Sequence, residues 1–300
     1  MSEVNVDGQK KISRRDFLKT IGAAITILGL EAAGAAAVNF FLNNSGDKNK
    51  KPEVTSPPPP TSPTANKDQF PPDLVFTGEA RPFEGEAAKI VEGLKKDFGV
   101  KIISPMTWEN DGQVSENLAW NVQEIAPLAE SISQLPPEYR NSSRSPREVL
   151  LLKTPGSKSE GAGGGYASRR LVVYISEAFA SNEMLHGQAL ELYGQQRDQL
   201  RASVHHEYTH SFIEAHPDVL SEWGQKTGWR QDKPGAWSND RPQNLIPDSG
   251  ADKSPNEDIA VSAGIMLVNP TAISEDRRNF FLTNEHYANW PIVLSYKSDH

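Results

Sequence analysis

Between Glu84 and Phe98 the apolar residues Ala87, Ile90, Val91, Leu94 and Phe98 recur at helical spacing, and Gly99 follows as a stop. Val100 to Ile103 then reads as a strand. Leu118, Val122, Ile125, Leu128, Ile132 and Leu135 form a second helical stripe, ended by Pro136 and Pro137. Pro127 falls inside it, so the stripe predicts one kinked helix or two. Val149 to Leu152 and Leu171 to Ile175 are short apolar runs suited to buried strands. The glycine-rich stretch Gly161 to Tyr166 between them is expected to be a flexible loop. The alternative is a segment whose glycines admit a substrate backbone beside an edge strand, with Tyr166 at its rim.

Further on, Glu183 to Gln196 predicts an outer helix, and Leu200 onward a second one. On the latter, Leu200, Val204, Tyr208, Ser211 and Phe212 share one side, while His206, Glu207, His210 and Ile213 lie a quarter turn or more away. Ser254 and Pro255 mark a helix start, followed by a close-packing stripe of Ala260, Ala263, Gly264 and Leu267. No internal repeat is evident.

The amino-terminal part has a different character. Ser13-Arg14-Arg15-Asp16-Phe17-Leu18-Lys19 precedes a Gly/Ala-rich apolar run from Ile21 to Leu42, broken by Glu31 and Asn39. Residues 1–42 closely resemble a twin-arginine export signal, which implies an extracytoplasmic, secreted or membrane-anchored protein. Cleavage after the small residues near Ala35 and retention as a membrane anchor both remain open. Residues 43–73, with Pro57 to Pro60 among Ser and Thr, have no apolar periodicity to bury and predict a disordered, extended tether. The remaining stretch, 74–300, suits one domain of α+β class with a small mixed sheet.

Composition narrows the chemistry. The net charge of −8 and the lack of a basic stripe argue against nucleic acid as a partner. There is no cysteine, so disulfides, thiolate nucleophiles, thiolate zinc sites and lipid-accepting cysteines are excluded. Any zinc site must use His, Glu or Asp.

One such site is written in His206-Glu207-Tyr208-Thr209-His210, an H-E-x-x-H pattern. A spacing of four is close to one helical turn, so both imidazoles project from one face and can share a zinc ion. Glu207 lies beside them, placed to take a proton from an activated water as general base. A catalytic zinc takes three protein ligands. Two residues compete for the third place. His216 completes a pattern with Ile213 where a sharp turn would need glycine, and its bland role is a histidine at a helix C-terminus. Glu257, in the first turn of the helix after Ser254, would complete a His₂Glu site, and its bland role is to offset the helix dipole.

The order of motifs resembles gluzincin-type zinc peptidases, in particular the group similar to the catalytic domain of anthrax lethal factor. The matching residues are His206 to His210, Gly228-Trp229, Glu257-Asp258-Ile259-Ala260, Val268-Asn269-Pro270, and the Trp120 helix ending at Leu135-Pro136. The resemblance spans roughly 83–281. It implies a zincin-like domain with an active-site helix and a helical C-terminal part. It also implies one zinc ion on His206, His210 and Glu257, with Glu207 as base, and a peptide or protein substrate. Two positions depart from the family. Its second glutamate is replaced by Val261, and its oxyanion-stabilising tyrosine has no counterpart near Gly250, leaving Tyr166, Tyr287 or His286 as candidate donors. These departures keep two other functions in play: a surface-binding protein on a zincin scaffold with weak or no hydrolysis, and hydrolysis of a non-peptide amide at the cell wall.

Overall fold

The computed structural model describes residues 79–110, 113–154, 163–167, 169–177, 191–233, 236–246 and 251–299. The export signal, the tether and residues 74–78 lie outside these, as does most of the outer helix expected at 183–196. Among the described residues, no helix is long and apolar enough to cross a membrane.

The architecture is mixed helix and sheet. Helix α1 (Gly85–Phe98) buries Ala87, Ile90 and Leu94 and ends at Gly99, whose left-handed φ of 67° lets its N–H cap the carbonyl of Lys95. Strand β1 (Lys101–Ile103) follows, then a small hairpin of β2 (Thr107–Asn110) and β3 (Gln113–Glu116). Helix α2 (Val122–Gln134) is one helix that contains Pro127. Its start is fixed by a capping box in which Asn121 and Glu124 exchange side-chain and backbone hydrogen bonds of 3.1 and 2.8 Å. A short helix α3 (Pro137–Asn141) leads to β4 (Glu148–Thr154), β5 (Gly163–Ala167) and β6 (Arg170–Ser176).

The four-stranded sheet has the order β1-β4-β6-β5, with β1, β4 and β6 parallel and β5 antiparallel along one edge. Both faces of β4 and β6 are buried. Val149, Leu151, Leu171 and Val173 join the main core, while Leu150, Leu152 and Val172 form a second cluster on the other face. This explains the unbroken apolar runs of the two strands. The glycine stretch departs from the loop expected of it, because Gly163 to Gly165 pair with Val172 to Tyr174 as a strand. Glycine has little strand preference of its own, so the pairing with β6 imposes the conformation.

Helix α4 (Gln196–Ala215) carries the H-E-x-x-H residues, and its burial runs almost all the way round. Leu200, Val204, Tyr208 and Phe212 face the core as expected, but Ile213 is buried with them, and so are His205 and Thr209. Helix α5 (Pro217–Thr227) ends at Gly228 with φ 86°, and the hairpin of β7 (Trp229–Lys233) and β8 (Ala236–Asn239) follows. Helix α6 (Pro255–Val268) then packs along α4, and α7 (Glu275–Thr283) and α8 (Pro291–Asp299) complete the chain. The crossing of α6 on α4 is close at Gly264, where an added Cβ would sit 2.6 Å from the carbonyl oxygen of Ala202. A glycine there allows the two helices to approach closely at that crossing.

Candidate metal centre

His206 and His210 stand one turn apart on α4 with their Nε2 atoms 2.9 Å apart and their rings nearly perpendicular. The first turn of α6 supplies the third group. Ser254 caps that helix by accepting from the backbone N–H of Glu257 at 3.2 Å, and Pro255 opens it. This places Glu257 in the first turn of α6, and its side chain reaches α4. Its Oε2 lies 3.4 Å from His206 Nε2 and its Oε1 3.6 Å from His210 Nε2. One ligand atom from each of the three residues lies within 4.8 Å of the others. A tetrahedral zinc with bonds of about 2.0–2.1 Å has donor–donor edges of ~3.4 Å, so donor atoms that all lie within 4.8 Å of one another can close on such an ion with small side-chain adjustments.

The electrostatics of the cluster also fit a cation. Burial opposes charge on Glu257, yet the hydrogen bond and charge of His206 outweigh it and hold the carboxyl at about 2. Burial likewise opposes the charged form of His206, but Glu257 and Glu207 outweigh it and raise its pKa. His210 is driven the other way, down to about 4, by burial and by His206 beside it. A divalent ion bound at this cluster would be held by two neutral imidazoles and one carboxylate, a donor set suited to zinc.

Neither a family model nor a curated protein matches the sequence. A crystal structure described as a “putative zinc-binding metallo-peptidase” from Bacteroides caccae is similar over 73% of this chain and 85% of that one, at 18% identity and a TM-score of 0.37. A likeness this distant decides neither fold nor activity.

Glu207 points into the same space but stands off, with Oε1 4.0 Å from His206 Nε2. It is 7% exposed. Burial pushes its pKa up, Glu257 adds to the rise and His206 opposes it, leaving the carboxyl at about 7. Affinity for a proton near neutrality is what a general base requires. The edge strand β5 lies directly over this side chain. A Cβ at Gly164 would meet Glu207 Cγ at 2.7 Å and Oε1 at 3.1 Å.

The first turn of α6 holds two more polar residues. Asn256 Oδ1 is 3.1 Å from Nδ1 of His210. The H-E-x-x-H pattern itself does not name the partner of this imidazole nitrogen. The available signal was Asn256 standing next to Glu257 at a helix start. Asp258 is fully buried and accepts from Arg277 Nε at 2.9 Å, Arg277 Nη2 at 2.8 Å, Trp229 Nε1 at 2.8 Å and Trp223 Nε1 at 3.1 Å. Burial raises its pKa, and Arg277 and the two indoles pull it back. This hub ties α5, β7 and α7 to α6 one residue away from Glu257.

His216 does not join the cluster. It caps the end of α4 and stacks on Phe212 at 4.4 Å between ring centroids, with His286 at 5.1 Å. Val261 is buried in the main core. Of the candidate oxyanion donors, Tyr166 directs its hydroxyl to Glu214 and to the carbonyl of Arg144, both at 3.0 Å. Tyr287 is buried with its hydroxyl 3.1 Å from that of Tyr139. His286 packs edge-on against Phe212.

Proposed function

We propose that this protein is an exported zinc-dependent endopeptidase of zincin-like fold, with His206, His210 and Glu257 as zinc ligands and Glu207 as general base. The observation that carries the reading is the convergence of the three donor groups, with a second carboxylate, that of Glu207, held near them but outside hydrogen-bond reach of His206. When bound, zinc supplies Lewis-acid polarisation of a carbonyl and lowers the pKa of water. Glu207 accepts a proton from the water that attacks the peptide carbonyl and passes it to the leaving amine. An extended peptide is favoured over a compact substrate because β5 is an edge strand that runs past Glu207 and can pair with such a backbone. Export rests on the paired arginines Arg14 and Arg15 before the apolar run.

A second reading is a metal-holding surface-binding protein that has lost hydrolysis. It is favoured by the engagement of Tyr166 and Tyr287 in hydrogen bonds to Glu214 and Tyr139. The test is casein cleavage by the purified full chain, with and without a chelator. The peptidase reading expects cleavage that chelation stops and zinc restores. Glu207→Gln should retain zinc and lose about 10²–10⁴-fold in rate. No chelator-sensitive cleavage by the parent, or undiminished cleavage by Glu207→Gln, overturns it.

A further inference from the structure

We infer that His216 and His286 form a second metal site, at the surface, for a divalent transition ion that prefers imidazole ligands. The two residues come from distant parts of the chain. His216 joins the end of α4 to the start of α5, and His286 lies in the 3₁₀ turn Glu285–Tyr287 between α7 and α8. Their ring centroids are 5.1 Å apart and the rings are tilted by 55°. Both residues are half-buried, so each keeps access to solvent. Asp218, in the first turn of α5, places its Oδ2 3.9 Å from His286 Nε2. Its side chain is exposed, which leaves the carboxylate free to swing onto an ion held by the two rings.

Packing alone does not account for the pair. His216 stacks on Phe212, and His286 meets the same ring edge-on at 5.6 Å between centroids. A phenylalanine or tyrosine at either place would cover Phe212 with more apolar surface. The helix dipole does not account for His216 either. The carbonyl end of α4 meets the amide end of α5 at this residue, so the two partial charges offset each other. Attraction to a helix C-terminus would favour the protonated ring, whereas burial and the neighbouring His286 lower the pKa of His216. Its ring is therefore neutral at pH 7 and has a lone pair to give. Neutral imidazole is the form that ligates zinc, copper and nickel. Two such rings with a carboxylate in reach supply two or three donors, and water fills the remaining positions. The His206 centre is the one cluster among the described residues that brings three protein groups within 4.8 Å. The His216 pair should accordingly bind more weakly than that centre.

The test is calorimetric titration of zinc into the untagged full chain, stripped with a chelator beforehand, for the parent, His216→Phe, His286→Phe and His206→Ala. Phenylalanine keeps an aromatic ring against Phe212 and removes the donor. The parent should bind two equivalents, one tightly and one more weakly. Each phenylalanine variant should lose the weaker equivalent and keep the tighter one. His206→Ala should do the reverse. Should a phenylalanine variant fail to fold, His216→Gln or His286→Gln takes its place and the same loss is expected. A parent that has no tight equivalent but one that depends on His216 and His286 counts against the proposed catalytic centre and supports this site. A parent whose bound zinc survives in full when His216 or His286 is replaced overturns the inference and leaves the catalytic centre standing.

Discussion

Gly164 on the edge strand β5 lies so close to Glu207 on α4 that a side chain at 164 would come within 2.7 Å of the Glu207 Cγ. The strand and the proposed base are thus fitted to each other. Gly164→Ala should push the carboxylate away from its present position while leaving His206, His210 and Glu257 in place. A misplacement of this size costs about 100-fold in turnover. Parallel measurement of peptide cleavage and zinc affinity should show the first reduced and the second unchanged.

The crossing of α6 on α4 sets where Glu257 arrives. Gly264→Ala places a Cβ 2.6 Å from the Ala202 carbonyl oxygen, against backbone that cannot turn aside. Overpacking of this kind costs about 1–3 kcal/mol. Urea denaturation should show that loss, and zinc affinity should fall with it because Glu257 is carried on the displaced helix.

Asp276 provides a pH test of the support behind the site. Its carboxylate accepts from Ser274, from Asn244 at 3.2 Å and from the backbone N–H of Arg277 at 3.0 Å. Arg277 in turn holds Asp258, next to Glu257. Burial opposes the charge on Asp276, but the bonds from Ser274 and Asn244 and the charge of Arg277 outweigh it and hold the pKa below 3.8. A carboxyl depressed in the folded state stabilises it fully above the unfolded value and loses that contribution as pH falls through the folded value. Asp276→Asn should therefore be less stable than the parent at pH 7, by about 1–2 kcal/mol. The gap should narrow as pH is lowered below 3.8. Denaturation midpoints of the two chains across that range check the sign.

Much of this arrangement can be read from the chain alone. The spacing of Ala87, Ile90 and Leu94 reports α1 because one face of that helix is buried and the other is not. Ser254 and Pro255 report the start of α6 because capping is a local property of the chain. The runs around Leu151 and Val173 report β4 and β6 because both faces of those strands are covered.

What could not be read depends on contacts distant in sequence. Gly163 to Gly165 read as a loop, since nothing local tells a glycine strand from a flexible linker. Its pairing with β6 and the space above Glu207 decide the matter. The burial of His205 and Thr209 was hidden because α4 is enclosed on nearly every side, so its polar residues do not mark an exposed face. The attachment of Tyr166 to Glu214 and of Asn256 to His210 joins residues 48 and 46 positions apart. Only the packing of β5 and α6 against α4 reveals these pairs.

The most direct test of the zinc assignment is anomalous scattering at the zinc absorption edge from crystals of the full chain grown with zinc. The account predicts a peak in each chain, about 2.0–2.2 Å from His206 Nε2, His210 Nε2 and a carboxylate oxygen of Glu257. No peak at that point, or a peak ligated by His216 with Glu257 turned away, would contradict it.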